Sequence, residues 1–444
     1  MTTKITPLSG FPEWLPPQVM VEQQVIGRLR RTFEIYGFAP LDLRAVEPLD
    51  QLLRKGDTSK EVYVLSRLQA DADDASDGSL GLHFDLTVPF ARFILENAGR
   101  LQFPFRRYQI QKSWRGERPQ HGRYREFTQA DIDVVDRDTL GFDNEVEIPL
   151  VIGDALAGLP IPRVTVQVNN RKLCEGFYRG LGIGDPAAAL RAVDKLDKVG
   201  PAGVAELLVA TAGATDAQAK ACIALADITS ADASFADAVA AMGVRDPLLD
   251  EGLDELVRVV EAAREHAPGL LVAQLKIARG LDYYTGTVYE TLMQGYEQYG
   301  SICSGGRYDN LASSGDVTYP GVGISIGVTR LLGLLFGANA LTASRHVPTC
   351  VLIALPDEES RPACRRIAQA LRSRGIATEV APEPAKFGKQ IRYADRRGIP
   401  YVWFPGVDGM SDQVKDIRSG EQVQASATEW MPPAADLEPQ IVVP

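Results

Sequence analysis

The chain has 444 residues, 45% of them hydrophobic and 24% charged. That composition excludes a disordered or fibrous chain, and at about one domain per 100–200 residues the length suggests two to four domains. Lys and Arg number 47 against 58 Asp and Glu, a net charge of −11, which excludes a globally basic nucleic-acid coat but not local basic patches.

The five cysteines are scattered and never form a CxxC pair, and no two of the four histidines stand at i,i+4 spacing. Neither a disulfide scaffold, a cysteine-type zinc site nor an HExxH motif is expected, so no structural metal is; a reducing cytosol fits. No apolar run reaches the roughly 18 residues of a membrane-spanning helix. The opening MTTKITPLSGFPEW has no apolar signal core, so a cytoplasmic protein with no membrane partner is expected.

The first predicted element follows a Pro-rich entry at residues 11–17. Val21, Val25, Leu29 and Phe33 recur at i+4 steps, which makes one face of a helix, and Gly37 stops it. Short strands and helices follow to about residue 135. The polar tip at 69–79 carries Asp71, Asp73, Asp74 and Asp77 without the spacing of a calcium loop, and reads as solvated.

Residues 105–135, FRRYQIQKSWRGERPQHGRYREFTQADIDVV, alternate with period 2 at both ends. In the first strand Arg107, Gln109, Gln111, Ser113 and Arg115 share a face opposite Tyr108, Ile110 and Trp114. In the second, Arg125, Phe127, Gln129, Asp131 and Asp133 oppose Thr128, Ala130, Ile132 and Val134. A solvated strand would carry Lys, Glu and Thr. Arginine, carboxylate, amide and an aromatic on one platform suit a phosphate beside a stacked base.

From about 170 to 269 the texture turns Ala- and Leu-rich, with helical stretches at 187–199, 204–212 and 248–266. Strand-like sequence returns at 278–293 and 321–328. Residues 1–169 and 270–335 are therefore expected to form one domain split by a helical insertion at 170–269. Within the returning part stand ARGLDYYTGTVYE, with adjacent Tyr283 and Tyr284, and SGGRYDN, with Tyr308. The glycine-rich GVGISIGVTR lacks the dinucleotide-binding spacing. It places Arg330 near a helix N-terminus, where the dipole disfavours a cation unless an anion sits in front of it.

A linker is expected at 336–345 and a small α/β domain at 346–444. Strands at 350–356, 378–381 and 401–405 there alternate with helices at 360–375 and 387–397. Residues 386–418 hold seven basic side chains against four aspartates. That local excess makes Lys386, Lys389, Arg392, Arg396 and Arg397 candidates for an RNA-facing surface.

Together, RGLDYYTGTVYE, SGGRYDNL, WRGERPQHGRYREF, GVGISIGVTRLLGLL and HFDLTVPFAR resemble, in the expected order, the two histidine signatures, motif 2, motif 3 and the amino-acid-binding strand of the histidyl-tRNA synthetases. The resemblance covers essentially the whole chain. It implies an α+β class II catalytic domain, an antiparallel sheet flanked by helices, with a helical insertion touching the tRNA acceptor arm and a C-terminal α/β anticodon-binding domain. It also implies a homodimer that activates L-histidine with ATP, as the Mg2+ complex, and esterifies it to histidine tRNA.

By that resemblance Arg115, Arg279 and Arg330 are the catalytic arginines, Arg115 and Arg279 on the α-phosphate and Arg330 on the γ-phosphate. Glu117 and Phe127 receive the adenine. Asp85, Leu86, Thr87, Arg115, Gln129, Asp133, Arg279, Tyr283, Tyr284 and Tyr308 bind histidine, with Asp133 accepting from one imidazole nitrogen and a tyrosine hydroxyl donating to the other. Arg118 and Gln120 face the tRNA acceptor end. The chain departs from the family at Leu43–Glu47, where Arg44 replaces the usual motif 1 proline, and at Thr329, where motif 3 commonly has an acidic residue. A non-catalytic paralogue, such as a regulatory subunit of ATP phosphoribosyltransferase, typically lacks the anticodon domain and loses signature residues; this chain keeps both.

Overall fold

A computed structural model describes residues 6–53, 61–69, 78–277, 283–314, 316–406 and 410–444. Arg279 and the four aspartates of the 69–79 tip lie outside the described residues. The chain divides into two compact units, Met1–Pro12 with Ile26–Leu334 and Glu13–Val25 with Leu335–Pro444.

Helix α1 (Pro16–Ile35) forms where the i+4 stripe predicts it: Val21, Val25, Leu29 and Phe33 are fully buried, and Gly37 ends the run at positive φ. After β1 (Ala39–Pro40), the elements β2 (Val46–Pro48), α2 (Leu49–Leu52), β3 (Tyr63–Leu65) and β4 (Leu80–Leu82) make a small antiparallel sheet ordered β2-β4-β3. Next come α3 (Thr87–Asn97), the hairpin β5 (Phe105–Trp114) and β6 (Glu126–Val135), α4 (Asp143–Ala157) and β7 (Val164–Asn170).

The Ala- and Leu-rich segment folds as α5 (Arg171–Gly180), α6 (Pro186–Val193), α7 (Leu196–Ala212), α8 (Asp216–Ala226), β8 (Thr229–Ser230), α9 (Phe235–Ala241) and α10 (Pro247–His266). The stretch at 187–199, expected as one helix, is broken between Val193 and Leu196. A second break falls at Gly200, whose φ of 72° is left-handed; it precedes Pro201, which has no N–H to continue the ladder. Side-chain caps start these helices: Asp185 accepts from Ala188 N, Asp246 from Leu248 N, and Thr215 with Gln218 forms a capping box.

The chain then returns through β9 (Leu271–Gln274), β10 (Thr287–Met293), β11 (Cys303–Tyr308), the two-residue pair β12 (Ser313–Ser314) and β13 (Val317–Thr318), β14 (Gly321–Gly327) and α11 (Val328–Gly337). Nine strands share one sheet, β1-β5-β6-β14-β11-β10-β7-β9-β8. It is antiparallel except where β1 meets β5 and β7 meets β9. One face is apolar: Ile132, Val134, Val322, Ile324 and Ile326 are buried, and α4 packs on β7 and β14 with Ile148, Val151 and Ile152 buried. The opposite face is polar and carries the site.

The second unit holds β15 (Thr342–Ala343), β16 (Val351–Ile353), α12 (Arg361–Arg372), β17 (Thr378–Val380), α13 (Phe387–Arg396), β18 (Tyr401–Phe404), β19 (Gln413–Asp416), β20 (Gln422–Gln424), α14 (Ala434–Leu437) and β21 (Ile441–Val442). Its five-stranded sheet runs β17-β16-β18-β19-β20. The first three strands are parallel, as alternating strands and helices demand. The antiparallel β19–β20 hairpin extends the sheet beyond the three strands expected from the sequence. Val351, Leu352, Ile353, Cys364, Leu371, Val402 and Trp403 form a fully buried core. Lys386, Lys389, Arg392 and Arg396 stand exposed on and beside α13. Arg397 is instead tied to Glu379 at 2.9 Å and to the Tyr393 hydroxyl.

Candidate active site

Strand register assembles the site. Across β5 and β6, Arg107 faces Asp133, Gln109 faces Asp131, Gln111 faces Gln129 and Ser113 faces Phe127. Across β6 and β14, Asp133 faces Gly323, Asp131 faces Ser325 and Gln129 faces Gly327. Because the period is 2, one register aligns every polar residue of these strands on one side. The polar faces of β5 and β6 predicted from sequence are therefore one surface. Its β6 side, with Phe127, Gln129, Asp131 and Asp133, walls a cavity of about 420 Å³.

At one end lies Asp133, 3% exposed. The Arg107 guanidinium, fully buried, meets its Oδ2 at 2.6 Å, and the Tyr308 hydroxyl donates to its Oδ1 at 2.7 Å. Arg107 also donates to Gln109 Oε1 at 3.2 Å and lies 4.3 Å from the centre of the Phe90 ring. These contacts brace the buried pair through both terminal nitrogens, while Arg107 Nε has no partner among the described residues. Burial, and then the Asp133 charge, push the Tyr308 phenol well above its ordinary pKa. Tyr283 donates to the Tyr284 hydroxyl at 3.2 Å, with ring centres 4.4 Å apart.

Two glycines give the pocket its depth. A Cβ at Gly323 would stand 2.1 Å from Asp133 Oδ1, and one at Gly305 would stand 2.0 Å from the Gly323 carbonyl oxygen. Gly323→Ala is therefore expected to destabilise the protein by about 1–3 kcal/mol, the usual cost of overpacking, measured by urea unfolding; unchanged stability would show that the Asp133 carboxylate can move aside.

The middle of the wall is Asp131, 2% exposed. Gln129 Nε2 donates to Ser325 Oγ at 2.7 Å, and Ser325 in turn hydrogen-bonds Asp131. Burial raises the Asp131 carboxyl to about 7, Asp133 and Asp85 add to the rise, and Arg107 opposes it. Asp85 accepts from Val88 N at 3.0 Å, which fixes it at the start of α3.

Toward the mouth the charge reverses. Arg115 donates through Nε to the Phe84 carbonyl at 3.0 Å, and its guanidinium lies 5.1 Å from the centre of the Phe127 ring. Arg330, in the first turn of α11, donates to the Tyr299 carbonyl, and its Nε is buried with no partner among the described residues. Burial, with Arg123 and Arg115 nearby, lowers the Arg330 pKa to about 10 against the opposing pull of Glu290. A buried arginine beside two further cations in one cavity suits an anion. Glu117 meets Arg123 at 3.9 Å.

The cavity thus gathers Asp85, Thr87, Arg115, Glu117, Phe127, Gln129, Asp133, Tyr283, Tyr284, Tyr308 and Arg330. Leu86 does not line it; its side chain is fully buried, and its carbonyl accepts from Arg107 at 3.4 Å. Arg118 and Gln120 are exposed in the hairpin loop, where Gln120 and Arg123 bond through their backbones. Sequence reasoning gave no role to Arg107, which braces Asp133 from behind, nor to Asp131, Arg123 and Asp194, which line the cavity; the first three lie inside the quoted hairpin and Asp194 at the end of α6. Alternation alone placed Arg107 and Asp131 on the polar face. Nothing local marked Arg123 or Asp194.

A profile described as histidyl-tRNA synthetase matches residues 10–331, and one described as an anticodon binding domain matches 349–432. The histidine–tRNA ligase of Cutibacterium acnes is 59% identical, covering 99% of each chain. That of Micrococcus luteus is 57% identical, covering 98% of each. Among solved structures, the histidyl-tRNA synthetase of Nostoc sp. PCC 7120 superposes with a TM-score of 0.85 at 34% identity, covering 96% of this chain and 98% of that one. With a family profile over most of its length and relatives this similar end to end, the chain belongs to the histidyl-tRNA synthetase family.

Proposed function

We propose that the chain carries out its family's reaction in this cavity: it activates L-histidine with ATP to histidyl-adenylate and pyrophosphate, then transfers histidine to the 3′ end of histidine tRNA. The observation that carries this placement is one polar sheet face with a braced carboxylate at one end and an arginine cluster at the other. An amino acid with a polar ring fits the first end and a triphosphate the second.

In-line attack of the histidine carboxylate on the α-phosphorus needs no general base, because the nucleophile is already ionised. Charge builds on the equatorial phosphate oxygens, and fixed cations stabilise it without reorganising. Arg115 and Arg279 take that role, Arg330 holds the γ-phosphate, and Phe127 with Glu117 receives the adenine of ATP, which enters as its Mg2+ complex. Asp133 accepts from one imidazole nitrogen. Since Tyr308 donates to Asp133, Tyr284 is the tyrosine that reads the other nitrogen. Asp85, Thr87 and Gln129 face the α-amino end. The purified protein should form histidyl-tRNA only with ATP, histidine and tRNA all present; no ester under those conditions would overturn the reading.

Residues 346–444 are the anticodon-binding part on this reading, and 170–269 the insertion that approaches the acceptor arm beside Arg118 and Gln120. Exposure of Lys386, Lys389, Arg392 and Arg396 along α13 supports the first assignment. Changing all four to glutamine should weaken tRNA binding severalfold and make its salt dependence shallower by about 0.7–0.9 for each phosphate no longer neutralised. Pyrophosphate exchange with histidine should not change; an unaltered salt slope would place the tRNA elsewhere.

A cytoplasmic homodimer completes the reading. Exposed Leu53, Val64 and Leu80, on and beside the small β2-β4-β3 sheet that takes in the end of the motif 1 segment, support a covered surface there.

A further inference from the structure

We propose that Asp131 is a further substrate-binding residue, whose carboxylate holds the α-ammonium group of histidine. The proposal rests on the histidine pocket described above and extends it to a residue outside the family signatures.

Position is the first argument. Asp131 and Asp133 point from the same face of β6 into the cavity. Two residues along a strand advance about 7 Å, comparable to the length of one histidine. With Asp133 at the imidazole, Asp131 stands at the other end of the amino acid, next to the Gln129–Ser325 pair.

Charge is the second. Arg107 is the cation acting on Asp131, and it is paired with Asp133 at 2.6 Å. The residue facing Asp131 across β5 is Gln109, an amide. The charged groups around it are Arg107 on β5, Asp133 on its own strand and Asp85 before α3, so carboxylates outnumber cations. Asp131 is 2% exposed, and its Oδ1 has no hydrogen-bond partner among the described residues. A buried acceptor left in that state costs free energy until a donor arrives. An ammonium supplies both missing quantities, a positive charge and N–H donors. The raised carboxyl pKa has the same cause: burial among carboxylates favours a positive partner, a proton or a cation, on this group.

Ser325, held by Gln129, faces Asp131 across β6 and β14 and favours its ionised form. The carboxylate thus adds selection for an α-amino acid to the ring selection made at Asp133.

The test uses histidinol and its des-amino counterpart, 3-(imidazol-4-yl)propan-1-ol, which differ only in the ammonium. Each is measured as an inhibitor of ATP–pyrophosphate exchange by the full chain. Asp131→Asn should raise the histidinol inhibition constant by about tenfold or more, the size of a hydrogen bond to a charged group, and leave the des-amino constant within about threefold. Ser325→Ala, which loosens the carboxylate, should shift the same ratio in the same direction by less, and serves if the asparagine variant does not fold. Equal changes for both inhibitors, or an unchanged histidinol constant, would overturn the proposal. Asp133→Asn separates the two readings: if it weakens both inhibitors while Asp131→Asn spares histidinol, only the Asp131 role fails. If it weakens neither, the pocket itself is misplaced.

Discussion

Arg330→Gln is expected to lower the rate of adenylate formation by about 10²–10³, the usual effect of deleting one pre-organised electrostatic contact at a reacting group. The stability of the folded protein should not fall. Arg330 stands partly buried beside Arg123 and Arg115, and burial with these cations pulls its pKa down to about 10. Its charge is thus unfavourable where it stands, and glutamine keeps an amide donor for the Tyr299 carbonyl. Single-turnover pyrophosphate release gives the rate and thermal unfolding gives the stability. A structural arginine would show the reverse pattern, with a lower melting temperature and an intact rate. Histidine KM should stay within a few fold, because Arg330 meets the nucleotide and not the amino acid.

Asp133→Ala should raise the histidine KM by at least about tenfold, given about 1.5–3 kcal/mol for a hydrogen bond to a charged group, and change the ATP KM much less. Alanine also strands Arg107, which is fully buried and paired to that carboxylate. Breaking such a pair from one side costs about 3–5 kcal/mol, so a loss of stability accompanies the loss of binding. Asp133→Asn keeps an acceptor oxygen for Arg107, its NH2 can donate to the Tyr308 hydroxyl oxygen, and it separates the two effects. It should be better folded than the alanine variant and still impaired for histidine. Pockets of this kind can reject analogues that lack the polar group by about 10⁴–10⁵, so both variants should also lose discrimination against leucine. An Asp133→Ala enzyme with unaltered histidine KM would contradict the placement of the imidazole.

The hairpin was legible because its information is local: alternation at period 2 sorts Gln129, Asp131 and Asp133 to one face without knowledge of their partners. The α1 stripe and the helices of the second unit were legible for the same reason at the helical period. What alternation cannot supply is register across strands. Arg107 and Asp133 are 26 positions apart in the chain, and their pairing depends on how the 115–125 loop closes and on β14 arriving alongside β6. The sequence could not say which tyrosine hydroxyl would serve the imidazole, because the bond from Tyr308 to Asp133 forms only across strands. The break between α6 and α7 was hidden by alanine-rich composition, which favours helix on both sides and says nothing about the join. Arg123 looked like one more arginine of a polar loop; only the fold brings it to Arg330.

ATP–pyrophosphate exchange with each of the 20 amino acids in turn tests the account most directly, because it reads the cavity without tRNA. Exchange dependent on histidine, and negligible with the other 19, is the predicted result. Exchange supported by a different amino acid, or none with histidine, would contradict it.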